Sequence, residues 1–184
     1  MTLALARSSA EAHLYMRLQP CDTCGETEFD PDSSVVMVDG ELASRYSGAC
    51  PRCGTIREFT FLLPDEVIFP DELEPEFGDD RPSQLLDPGD WMWLADATAG
   101  AAPAEPTGLS EAERRDALID LRTAAAAVGE VLKFIPDGAD EVPSEAFRSA
   151  RGRAVYAREP GRFRRGRLVV VRDTYREISD RFVS

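Results

Sequence analysis

Four cysteines constrain this chain more than anything else in it: Cys21-Asp22-Thr23-Cys24-Gly25 and Cys50-Pro51-Arg52-Cys53-Gly54. They are its only cysteines and form two Cys-x-x-Cys pairs with 25 residues between them. Each pair brings two thiolates to one side of a tight turn, and two such turns supply the tetrahedral sulfur shell that zinc favours. Gly25 and Gly54 each follow the second cysteine, where the chain must turn sharply and glycine accepts positive φ at little cost. The spacer is longer than the roughly 15–20 residues usual between paired knuckles. The expectation is one structural zinc held by Cys21, Cys24, Cys50 and Cys53.

The spacer itself reads as a hairpin. Ser34-Val35-Val36-Met37-Val38 is rich in β-branched residues, and Asp39-Gly40 is a strong two-residue turn signal. Glu41 to Ala49 then returns as a second strand carrying Leu42 and Tyr46. After the second cysteine pair, Ile56, Phe59, Phe61 and Leu63 lie in a β-prone run stopped by Pro64. Knuckle, hairpin, knuckle, strand over residues 21–63 resembles a zinc ribbon, with the four cysteines at that family's ligand positions. The resemblance covers about a quarter of the chain. It implies a small antiparallel sheet clipped by zinc, and it leaves function open, since ribbons serve transcription factors, ribosomal proteins, enzyme subunits and scaffolds alike. Ribbons that bind nucleic acid are similar to one another in carrying basic and aromatic residues along the strands. Here Arg45, Arg52 and Arg57 stand among Glu26, Glu28, Asp30, Asp32, Asp39, Glu41 and Glu58.

Helical signals flank the ribbon. Ser8 and Glu11 have capping-box spacing, Ala10, Leu14 and Leu18 repeat every four residues, and Pro20 blocks continuation. His13, the one histidine, is read as a surface or packing residue rather than a ligand. Further on, Asp87 and Pro88 suit the N-cap and first position of a helix carrying Trp91 and Trp93. Gly100 to Gly108 reads as a loop. Ser110 and Glu113 open the clearest helix, with a stripe of Leu118, Leu121, Ala125, Val128, Leu132 and Ile135 before Pro136. Another helix is expected after Pro143, capped by Ser144 and carrying Phe147. A last one presents Val171, Tyr175, Ile178 and Phe182, although Val169-Val170-Val171 leaves a local strand open. The predicted fold class is α+β: one helix, the small sheet, then a bundle of about four helices. The boundaries are 1–64 for helix and ribbon, 65–82 for an acidic connector and 83–184 for a helical domain packed against the ribbon.

Charge narrows the function. The net charge is −13, and residues 1–110 hold 21 acids against 6 basic residues. Such a chain repels a phosphate backbone and suits a basic protein partner. The connector, with Asp65, Glu66, Asp71, Glu72, Glu74, Glu76, Asp79 and Asp80 among large apolar groups, is the candidate partner-binding segment, with Trp91 and Trp93 beside it. The other reading has it wrapped over its own protein with its apolar residues tucked inward. Residues 148–172 hold nine arginines against one acid, Glu159. Arg162, Arg164, Arg165 and Arg167 are the candidate nucleic-acid contacts, unless these arginines offset the chain's own acids.

Catalytic motifs are missing: there is no Gly-rich phosphate loop, no His-Glu-x-x-His, and no cysteine left over as a nucleophile. The leading expectation is a noncatalytic, cytoplasmic, zinc-binding protein-interaction module facing a basic protein. An immunity protein or antitoxin, with a toxin as partner, is one version. The alternative is a regulator binding nucleic acid through the arginine-rich segment. No apolar run approaches the roughly 20 residues that span a bilayer.

Overall fold

The computed structural model describes residues 3–65, 71 and 73–183. The chain divides into two compact units, Met1–Ile68 and Phe69–Ser184.

In the first unit, helix α1 (Ser9–Leu18) starts where the Ser8 hydroxyl accepts the Glu11 N–H. The Glu11 carboxylate turns back to the Arg7 N–H and guanidinium, and this ion pair is almost wholly buried. The buried residues of α1 are Glu11, Ala12, Met16 and Leu18. Ala10 and Leu14 of the expected stripe are only half-buried. The hydrophobic face is rotated because the Arg7–Glu11 pair occupies the inside of the first turn.

Strands β1 (Asp32–Val38), β2 (Glu41–Ala49) and β3 (Ile56–Leu62) form an antiparallel sheet in the order β1-β2-β3. Val38 pairs with Glu41 across a two-residue turn. Asp39 and Gly40 have φ of 51° and 89° there, the left-handed backbone that this turn type demands. On one face Tyr46, Phe59 and Phe61 form an aromatic cluster, which Tyr15 and His13 of α1 meet edge-on. The outer edge of β3 is covered by the start of the chain: Leu5 bridges Leu62, whose N–H donates to the Ala4 carbonyl at 2.9 Å.

The second unit is helical: α2 (Pro88–Ala101), α3 (Glu111–Leu132), α4 (Ala150–Arg158) and α5 (Arg165–Asp180). This is the α+β layout expected, with four helices after the sheet. Ser110 and Glu113 cap α3 reciprocally. Leu118, Leu121, Ala125 and Val128 of its stripe are buried, as are Ala124 and Ala127, whose small side chains let α2 and α5 approach. Ile135 is buried too, but beyond the helix end, in tightened turns over 132–135. The helix expected from Ser144 is a single 3-10 turn, Ser144–Ala146, and α4 begins instead at Ala150 with Ser149 as cap. Phe147 lies between the two, packed against Tyr156 and Phe163. The Val169–Val171 run is helical, inside α5, whose far end sets Tyr175 and Ile178, with Phe182 just beyond it, against Ala117, Leu118 and Leu121. No helix among the described residues is long and apolar enough to cross a membrane.

Candidate metal centre

The two cysteine turns are near copies of each other. In the first, the Cys21 N–H donates to the Glu26 carbonyl and the Gly25 N–H to the Cys21 carbonyl. In the second, the Cys50 N–H donates to the Thr55 carbonyl and the Gly54 N–H to the Cys50 carbonyl. Gly25 and Gly54 have φ of 75° and 74°, as their position after the second cysteine requires. The long spacer is absorbed by the β1–β2 hairpin, whose return strand β2 ends at Ala49, beside the second turn.

The turns bring all four sulfurs within 4.8 Å of one another. Cys21 Sγ lies 3.7 Å from Cys53 Sγ, and Cys24 Sγ 3.6 Å from Cys50 Sγ. A tetrahedron with metal–sulfur bonds of about 2.3 Å has edges of about 3.8 Å, so these separations suit a four-sulfur shell. They are far too long for a disulfide, whose S–S bond is about 2.0 Å. Cys21 and Cys50 are buried, while Cys53 is exposed.

Electrostatics separate the thiols. The Thr55 hydroxyl and N–H hold the Cys53 thiol down to about 6. Cys24 accepts from the Glu26 backbone, which favours its thiolate. Desolvation and the other three sulfurs outweigh that bond and push it up to about 12. Four thiolates this close need a cation to coexist. A hydroxyl chain braces the exposed side, Cys53 Sγ to Thr55 Oγ1 to Thr23 Oγ1. Neither threonine stands out in sequence, because Thr23 and Thr55 are 32 residues apart.

The other expected site residues scatter. Glu66 and Glu72 lie outside the described residues. Asp65, Asp71, Glu76 and Asp80 are exposed. Glu74 pairs with Arg122 at 2.8 Å, Asp79 with Arg81 at 2.5 Å, and Lys133 donates to the Gly78 and Asp79 carbonyls. Phe77 is buried with its ring 4.8 Å from that of Trp91. Residues 73–79 of the acidic stretch are therefore held against α3 through Arg122 and Lys133, with Phe77 turned inward. Trp91 is 0% exposed, so it is a core residue and presents no surface to a partner. Trp93, 40% exposed, carries the Arg151 guanidinium over its ring.

The arginines are largely spent inside the helical unit. Arg162 grips Asp96 through both terminal nitrogens, Arg164 faces Glu141, Arg165 donates to the Ala139 and Pro136 carbonyls, and Arg167 pairs with Glu159. Arg148 donates to the Ser83, Gln84 and Leu86 carbonyls. Arg162, Arg164 and Arg167 of the run are thus each paired with an acid of the same unit. His13 is exposed, its Nδ1 bonded to the Ser9 carbonyl, remote in role from the sulfurs.

Comparison with protein-family models, curated proteins and solved structures returns no match to this chain.

Proposed function

We propose that this chain is a noncatalytic protein-interaction module, in which one structural zinc holds a zinc ribbon over residues 21–63 and an acidic surface receives a basic protein. The observation that carries the metal half is the closed four-sulfur set supplied by two matched turns. A catalytic zinc keeps three protein ligands and an open position for water, whereas four cysteines complete the shell. The expected result of metal analysis is about one zinc per chain. Cys50→Ser, which removes a buried ligand, should lose both the metal and the sheet. A chain that keeps its full structure after chelation would overturn this reading.

The partner half is supported by charge. Between Arg17 and Arg45 the chain has seven acids, Asp22, Glu26, Glu28, Asp30, Asp32, Asp39 and Glu41, and no basic residue. In the helical unit, by contrast, Glu74 and Asp96 are already matched by arginines. The expected complex weakens as salt rises and when the 22–41 acids are neutralised. An immunity protein or antitoxin is the narrower form of this reading; it adds a toxin as the partner, and identification of the co-purifying protein is its test.

A further inference from the structure

β1 is an outer strand of the sheet and, among the described residues, pairs with β2 alone. The opposite edge, on β3, is covered by residues 4–6. Among the described residues no backbone hydrogen bond joins β1 to any segment besides β2. Natural edge strands are usually blunted by a charge, a proline or a bulge. Ser33–Val38 contains no charge, no proline and no glycine, and it pairs with β2 without a bulge. Alternate backbone N–H and C=O groups are thus presented along the uncharged stretch Ser33–Val38.

The side chains beside that edge are apolar and uncovered. By register Met37 lies opposite Leu42, and Val35 is two residues away on the same face. They are 68%, 55% and 64% exposed, respectively. This is the face that α1 covers further along, over Tyr46 and Phe61. Acids bracket the strip: Asp30 and Asp32 at one end, Asp39 and Glu41 at the other. A second copy of the chain suits it poorly. In the antiparallel register centred on Val35, Val35 meets Val35 of the copy, and Asp32 of each chain falls opposite Val38 and next to Asp39 of the other, where like charges repel.

We infer that the β1 edge receives an extended segment of a basic protein as an added strand, with basic residues at both ends of an uncharged stretch that alternates apolar and polar side chains. The backbone ladder supplies affinity, alternate apolar side chains pack beside Val35 and Met37, and the end charges meet Asp32 and Asp39. This rests on the acidic protein-interaction reading above and locates its site.

The test uses the whole metal-loaded chain and a labelled peptide, Arg-Arg-Val-Thr-Val-Thr-Val-Thr-Arg-Arg, followed by fluorescence anisotropy and amide hydrogen exchange. The expected result is salt-sensitive binding that protects the amides of Ser33, Val35 and Met37, the alternate residues of β1 that face away from β2. Proline in place of the central valine of the peptide should weaken binding roughly tenfold or more, equivalent to about 1.4 kcal/mol. Val35→Lys combined with Met37→Lys should weaken it as well, and both positions are exposed enough to leave the fold intact. Asp32→Asn with Asp39→Asn should lower affinity and flatten its salt dependence, since asparagine tolerates the left-handed backbone at Asp39. Equal binding of the proline peptide would overturn strand addition while leaving the acidic-surface reading standing. Failure of both peptides to bind at low salt would sink the two together. A concentration-dependent dimer abolished by Met37→Lys would instead make a second copy the occupant and overturn the proposal.

Discussion

At the scale of single residues, Asp87 does more than cap one helix. One of its carboxylate oxygens accepts the N–H groups of Gly89 and Asp90 at the start of α2, and the other accepts those of Arg148 and Ser149 just ahead of α4. The two helix starts approach so closely that a Cβ on Gly152 would lie 2.1 Å from the Asp87 carboxylate. A Cβ on Gly89 would lie 2.4 Å from the Gly152 backbone. Asp87→Ala leaves buried donors without an acceptor and should cost about 3 kcal/mol or more in urea unfolding. Gly152→Ala should cost about 1–3 kcal/mol, because the atom it meets is the fixed end of that cap. Asp90 lies alongside, its carboxyl pushed up by burial and then by the charge of Asp87. Folding thus favours its protonated form. That contribution to stability is fully present below the ordinary Asp pKa of about 3.9 and is lost as pH rises through the raised value. Asp90→Asn, which never ionises, should gain on the native chain in urea midpoint between about pH 4 and pH 7. The Asp87-Pro88 start was legible as a cap. Its second helix was not, because Ser149 lies 62 residues further along the chain.

At the scale of elements, α1 is closed by a residue from the sheet. The Arg57 guanidinium donates to the Met16 and Gln19 carbonyls at the helix end and stacks over Phe29 and Phe59. In sequence Arg57 is one more basic residue on a ribbon strand. In the fold it is buried and satisfies the carbonyls that a helix end exposes. Arg57→Met keeps the bulk and removes the donors; it should destabilise the metal-loaded chain by about 2–3 kcal/mol, read from thermal unfolding. The α3 stripe was legible because three- and four-residue spacing survives any packing partner. Its consequence at Ala127, 0% exposed, depends on neighbours, and Ala127→Leu should cost about 1–3 kcal/mol by overpacking. The Ser144 start failed for a related reason. Phe147 is drawn into the Tyr156–Phe163 cluster, and the Asp87 carboxylate fixes the chain at Arg148 and Ser149, so the helix begins after them.

At the scale of the whole molecule, two compact units, with the four cysteines all in the first, predict an uneven response to metal loss. Met16, Tyr46 and Phe61 are buried in the first unit, and Trp91, Phe163 and Leu168 in the second. A strong chelator should abolish the sheet and its aromatic near-ultraviolet signal while most helical circular dichroism persists, because α2–α5 contain no sulfur ligand. Simultaneous loss of both signals would show that the helical unit also depends on the metal.

The sequence alone determined what local chemistry can determine. Two Cys-x-x-Cys-Gly turns specify a metal shell, Asp39-Gly40 specifies a hairpin, and spaced apolar residues specify helices. Each of these is written within a few neighbouring residues. Only the tertiary structure decided which charges are consumed internally. It matched Arg162 to Asp96 and Arg122 to Glu74, buried Trp91 under Phe77, and left Val35, Met37 and Leu42 uncovered beside an open strand edge. Charge pairing and burial depend on distances between residues far apart in the chain, and those distances exist only once it has folded. The cysteines could therefore be read at sight, whereas the surface that remains for a partner could not.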